Sequence, residues 1–179
     1  MAKDASVIRF LSRRPIDCAP AVLNSFIDIA LEAGEVPLAN LKRGVPMAEM
    51  LFFAIDEEKK AIGVGAVRYA NAAYHRHLFE KAGVLEMYNP YSVESCWIAV
   101  KPDYRGKGVW KGLRKSRLDF LGNRPCHSIR RVENKLTGGH QEWSLAGQEF
   151  YSETSPHKLK LLVYNHDPVF DPDKRLVYS

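Results

Sequence analysis

Apolar residues fall along this chain in two rhythms. Met50–Ile55, Ala61–Tyr69, Glu94–Val100 and Lys158–Tyr164 are short runs dominated by β-branched, aromatic and small apolar residues. Bounded by charged or turn-forming residues and too short for helices, they predict strands. The charged turn from Asp56 to Lys60 joins the first two as a hairpin, and Gly63 and Gly65 inside the second mark a close backbone approach or a bulge. Ser6–Leu11 reads as an earlier strand and Cys126–Val132 as a weakly alternating one.

The other rhythm is helical. Val22, Leu23, Phe26, Ile27, Ile29, Ala30 and Leu31 form a stripe within residues 19–33, stopped near Gly34. Val109, Leu113, Phe120 and Leu121 form a second stripe, with Lys111, Arg114, Lys115 and Arg117 between them. Trp143, Leu145, Ala146 and Phe150 carry the spacing of a short helix over residues 141–151. Residues 37–46, with a proline at each end, predict a loop or short helix, and Asn71–Ser92 shows no regular period. In that stretch Tyr88 and Tyr91 either wall a pocket or pack at a loop. Gly138 and Gly139 form a break, and the Asp-Pro pairs beyond residue 166 predict a turn-rich tail.

Composition narrows the class. A length of 179 residues suits one domain, and 46% hydrophobic with 26% charged residues excludes a disordered chain. With no long apolar run and no apolar stretch behind Met1–Ser6, a soluble, cytoplasmic protein without membrane attachment is expected. Cys18, Cys96 and Cys126 are far apart and lack paired spacing, which favours free thiols in a reducing compartment. Cys96 invites reading as a nucleophile, but it has no identifiable activating partner and reads as a small buried residue. His75 and His77 have no nearby third ligand and read as surface residues, so no metal is expected.

Charge points to a place. The net charge is +5, yet residues 101–135 hold 11 Lys or Arg against Asp103, Asp119 and Glu133, a local +8 that leaves the remainder near −3. One concentrated patch suits a polyphosphate ligand better than a nucleic-acid backbone, which recruits a broader face.

That patch begins where a strand becomes a helix. Glu94–Val100 must close before Pro102, and Arg105-Gly106-Lys107-Gly108 leads into the helix that starts at Val109. A helix entered through glycines presents unpaired N–H groups and the positive end of its dipole, and an anion approaches closely where no Cβ intervenes. Arg105 and Lys107 add two cations, so the loop is a candidate diphosphate site. Glu94, on a strand whose alternation puts it on one face with Cys96, Ile98 and Val100, is a candidate general base.

The run Val100-Lys101-Pro102-Asp103-Tyr104-Arg105-Gly106-Lys107-Gly108 resembles the coenzyme A pyrophosphate loop of the GNAT superfamily of N-acetyltransferases, Gln/Arg-x-x-Gly-x-Gly/Ala after a V-x-P-x-Y strand end. Arg105 and Gly108 match the first two fixed positions; Trp110 stands where Gly or Ala is usual. The likeness is close over about thirty residues and looser, through the order of elements, over residues 5–165, with 166–179 as a tail. It implies a single α/β domain with a mixed, mostly antiparallel sheet flanked by helices, binding acetyl-CoA as cosubstrate without a metal. It also implies cofactor contacts from Ile98, Ala99, Val100, Arg105, Gly106, Lys107, Gly108, Val109, Trp110 and Ser144, with backbone N–H groups near Ile98 and Val100 polarising the thioester carbonyl. Glu94 keeps the family spacing of a catalytic Glu, five residues before Ala99. Tyr151 matches the Tyr of the family's Asn-x-x-Ala-x-x-x-Tyr helix, the acid for the leaving thiolate, although Ser144 and Gly147 replace the Asn and Ala and the following Gly-Phe is absent. The implied reaction is direct acetyl transfer to an amine borne by a small molecule or protein, in a monomer or homodimer; nucleic acid is a less favoured acceptor. The alternatives are a GNAT-like module that binds CoA or a protein without catalysis, and an acyltransferase acting on nucleic acid.

Overall fold

The structure, a computed structural model, describes residues 7–34, 36–134, 143–153 and 155–166. Gly138, Gly139, Gln141, Glu142 and the predicted tail from Asp167 lie outside the described residues. In chain order the elements are β1 (Arg9–Arg13), α1 (Pro20–Glu32), α2 (Leu38–Gly44), β2 (Met50–Ile55), β3 (Ala61–Arg68), α3 (Ala72–Lys81), β4 (Val93–Val100), α4 (Val109–Leu121), β5 (Cys126–Arg131), β6 (Ser144–Tyr151) and β7 (Lys158–Tyr164). The seven strands form one mixed, mostly antiparallel sheet in the order β1-β2-β3-β4-β5-β7-β6. β4 and β5 run parallel, with Val93 opposite Cys126 and Glu94 opposite His127. The expected α/β class and sheet type are present.

The chain forms two compact units. One holds the described residues up to Arg68 together with Ser95–Phe120; the other holds Tyr69–Glu94 together with the described residues from Leu121. In the first, α1 and α2 bury Phe26, Ile27, Ile29, Ala30 and Leu41 against Leu51, Phe53, Val64 and Ala66 of the hairpin. Phe26 is fully enclosed and meets Phe53 edge-on at 5.7 Å; such burial is worth roughly 1.5–3 kcal/mol. On the opposite side of β2, Phe52 packs against Phe120 of α4 at 5.7 Å. The strand glycines now have their reason: a Cβ on Gly63 would lie 2.7 Å from Val109 Cγ1 and 3.1 Å from Leu113 Cδ1, so its absence lets α4 approach β3.

The second unit packs Leu78, Phe79 and Ala82 of α3 against Ala146, Phe150, Leu161 and Val163. Two expectations need correction here. Residues 72–81, read as irregular, form a helix whose N-terminus is capped by Asn71 Oδ1, which accepts from the N–H groups of Ala73 at 3.0 Å and Tyr74 at 3.3 Å. Residues 144–151, read as helical, are strand β6, paired with β7 through Leu145 opposite Leu162 and Tyr151 opposite Lys158.

Candidate active site

The glycine loop is built as the spacing implied. After β4 a short 3-10 turn over Pro102–Tyr104 turns the chain, and Gly106 at φ 74° and Gly108 at φ 81° deliver it to α4. Both need the left-handed region that side chains disfavour, and apart from the adjacent residues no atom of the described residues lies within 4 Å of where a Cβ would stand on either. Among the described residues the space over the loop is therefore open to a ligand. The N–H of Gly112 bonds the Gly108 carbonyl at 3.0 Å, so the N–H groups of Val109, Trp110 and Lys111 precede the helical ladder and carry the positive dipole end.

Four contacts among the described residues hold the loop. Arg105 Nε donates to the Val100 carbonyl at 3.2 Å, folding its side chain back on the strand end. Tyr104 Oη donates to Asp56 Oδ2 at 3.1 Å, tying the loop to the β2–β3 turn, and Lys107 Nζ sits 5.2 Å over the Tyr104 ring. The N–H of Lys101 bonds the Ile62 carbonyl at 2.9 Å. Val109 and Leu113 are buried beneath the loop and anchor the first turns of α4.

Within β4 the expected alternation breaks. Trp97 has φ 54°, rare for a residue with a side chain and costly by about 1–3 kcal/mol. The kink puts Cys96 and Trp97 side by side on the α1–α2 core with Ala99. Ile98 instead reaches the other face, where it and Arg117 flank Gly65, and where Arg117 donates to Ser95 Oγ. Cys96 and Ile98 thus do not share a face, a correction to the simple period of two. Trp97 is held edge-on by Phe26 at 6.4 Å and covered by the Arg68 guanidinium at 4.7 Å. Cys96 is half-buried, forms no disulfide and packs against the core.

Glu94 lies at the other end of β4 with 4% of its surface exposed, and Tyr74 Oη donates to its Oε1 at 3.3 Å. The parallel register sets His127 opposite it; that imidazole is fully buried, with Nδ1 2.9 Å from Ser92 Oγ. His127 stacks on His75 at 4.0 Å with planes 8° apart, and Tyr88 closes on His75 at 4.7 Å. Tyr88 is therefore a packing residue, whereas Tyr91 is 59% exposed. His75, read as a surface residue, is 3% exposed, and only His77 of that pair meets solvent. No cluster of metal-ligating groups occurs among the described residues. Tyr74, Ser92 and His127 escaped the sequence reading because their contacts join positions 20 to 35 residues apart; the one local signal was the Asn71 cap.

The buried His75 has a measurable consequence. Burial, with the nearby His166 charge second, pushes it down from 6.5 to about 4. Its Nε2 has no hydrogen-bond partner among the described residues. The unfolded chain thus takes up this proton first, so the contribution is complete above pH 6.5 and lost as pH falls towards 4. The expected loss is on the order of 3 kcal/mol, read as falling urea midpoints across that window and absent from a His75→Phe variant.

The remaining candidates are placed as follows. Trp110 is half-buried in the first turn of α4. Ser144 is exposed at the start of β6, and Tyr151, 63% exposed, ends the same strand with its carbonyl accepting from Lys81 Nζ at 3.1 Å. The helix that linked Tyr151 to an acid role is absent, so the motif match that singled it out no longer supports it. No helix among the described residues is long and apolar enough to cross a membrane.

No protein-family model matches the sequence, and no curated protein matches it. Solved structures do share the architecture. ElaA of Escherichia coli superposes with a TM-score of 0.66 at 7% identity, covering 87% of this chain and 99% of that one. An acyl-CoA N-acyltransferase from Pseudomonas aeruginosa gives 0.62 at 9% identity over 88% and 99%. FeeM, an N-acyl amino acid synthase from uncultured soil microbes, gives 0.68 at 12% identity over 89% and 92%. At such identities the likeness is one of fold, and two of the three names are those of acyl-transferring enzymes. With the glycine loop at the head of α4 and a mixed sheet of this order, the chain has the fold of the GNAT superfamily of N-acetyltransferases.

Proposed function

We propose that the chain binds acetyl-CoA through the loop from Arg105 to Trp110 and transfers the acetyl group to an amine. The observation that carries this reading is the pair of left-handed glycines with open space above them at the start of α4. Such a cradle fits a diphosphate, with backbone N–H groups pointing at its oxygens and Lys107 and Lys111 close in sequence to neutralise it. Acetyl-CoA would supply the acyl group as an activated thioester. The chain's own part is to hold the diphosphate, to present β4 backbone N–H groups near Ile98 and Val100, and to remove a proton from the amine. Glu94 is assigned that last role because it is a carboxylate on the same strand, buried and oriented by a hydrogen bond. The solved acyltransferases of this fold support the reaction class, and the acceptor is assigned only as an amine.

The test is binding. An Arg105→Ala, Gly108→Glu double variant places a carboxylate in the cradle and removes a cation from its edge. Its affinity for acetyl-CoA, measured by calorimetry, is expected to fall at least about 100-fold, on the order of 2.7 kcal/mol. Retained affinity in a folded variant overturns the assignment of the loop.

A further inference from the structure

Transfer from a thioester to an ammonium acceptor releases one proton: the ammonium loses two, one appears on the CoA thiol, and one must leave the protein. If Glu94 takes the first, as the reading above holds, it must discharge that proton in every cycle, and at 4% exposure it has little water of its own. Two of its described neighbours differ in where they lead. His127, opposite it in register, is fully buried and engaged through Nδ1 with Ser92, so it leads inward. Tyr74 bonds the same carboxylate and is 39% exposed, so it leads outward.

Tyr74 is also held in place from both sides along the chain. Its backbone N–H is bound by the Asn71 cap at 3.3 Å, and the next residue, His75, is clamped in the interior by its stack on His127. The hydroxyl therefore meets Glu94 from a fixed first turn of α3 rather than from a loop. We propose that Tyr74 is the positioning residue of the Glu94 base and the route by which its proton reaches solvent. In balanced form, the carboxylate takes a proton from the ammonium, and the phenol O–H turns from it towards water; the carboxylic acid then donates to the Tyr74 oxygen as the phenol passes its own proton to water. The proton received from the acid leaves the hydroxyl donating to the carboxylate again, and no oxidant, reductant or further reactant is needed. The inference rests on the assignment of Glu94 as base.

The experiment measures CoA release from acetyl-CoA with ethanolamine, spermidine, lysine and a peptide with a free N-terminus, using the fastest of these for the parent, Tyr74→Phe and Glu94→Gln proteins. Phenylalanine keeps the ring and removes only the relay. In dilute buffer Tyr74→Phe is expected to lose about tenfold in kcat, with KM for acetyl-CoA within about twofold of the parent. Added imidazole should restore most of that loss and leave the parent unchanged, because a small buffer substitutes for a missing proton carrier and not for missing packing. A parental kcat in Tyr74→Phe, or a loss that imidazole does not restore, overturns the relay. If Glu94→Gln turns over like the parent, or no amine stimulates CoA release, the assignment of the base fails and the relay falls with it.

Discussion

Glu94→Gln is expected to lower turnover by about 100- to 1000-fold while acetyl-CoA affinity stays within about twofold of the parent. The carboxamide has nearly the same shape and still offers an oxygen to Tyr74 Oη, so the packing around residue 94 is preserved. What it loses is the ability to take a proton. A general base contributes roughly 10² to 10⁴ in rate, and a lost factor of 1000 corresponds to about 4 kcal/mol of barrier. The defect should be deepest below about pH 8, where most of a typical amine is still protonated and needs a base, and should shrink as alkaline solution deprotonates it. The decisive comparison is kcat across that pH range beside a calorimetric affinity. Unchanged turnover would remove Glu94 from the chemistry.

Gly147→Ala is expected to destabilise the fold by about 3 kcal/mol, with no part in the chemistry. Gly147 stands at φ 69° in a bulge of β6, where the pairing with β7 steps from Ala146 opposite Leu161 to Phe150 opposite Leu159. The bulge lets the next residue, Gln148, donate its N–H to the Ala82 carbonyl at the end of α3 at 2.8 Å. A Cβ at residue 147 would press into that carbonyl oxygen and lie 3.0 Å from Val84 Cγ1. Backbone is on one side and a left-handed conformation on the other, so no side-chain rotation relieves it. The urea midpoint should drop with an unchanged m value; a midpoint within about 0.5 kcal/mol of the parent would show that the α3–β6 junction relaxes freely.

That bulge also explains the largest misreading of the sequence. Ala146 and Phe150 both face inward, at 1% and 6% exposure, while Leu145 is 56% exposed. Extra residues between the inward pair stretch a strand's spacing of two to four, which is the spacing of one helical turn. The helix assigned to residues 141–151 was that coincidence, and the Tyr151 motif rested on it. The positive φ of Trp97 likewise breaks the face-sharing expected along β4, and a tryptophan gives no local sign of it. Strands β2 and β7 were legible to the residue because each is a dense apolar run closed by charged or turn residues. α3 was not, since only His75, Leu78 and Phe79 are buried in ten residues and the rest are alanines, a tyrosine and charged or polar residues that give no apolar stripe. The loop could be read in advance because its chemistry is local: two glycines, two cations and a helix start within six residues. The surroundings of Glu94 could not, because Tyr74, Ser92 and His127 reach it or its neighbour only through the folded sheet.

Calorimetric titration of the purified protein with acetyl-CoA, and separately with CoA lacking its 3′-phosphate, tests the central claim most directly. Saturable one-to-one binding in the micromolar range is expected, weaker without the 3′-phosphate because part of the basic run from Lys107 to Lys115 would lose its partner. Heats of dilution alone with both compounds would contradict the account: the glycine loop would then be only a turn between a strand and a helix, and the transferase reading would fall with it.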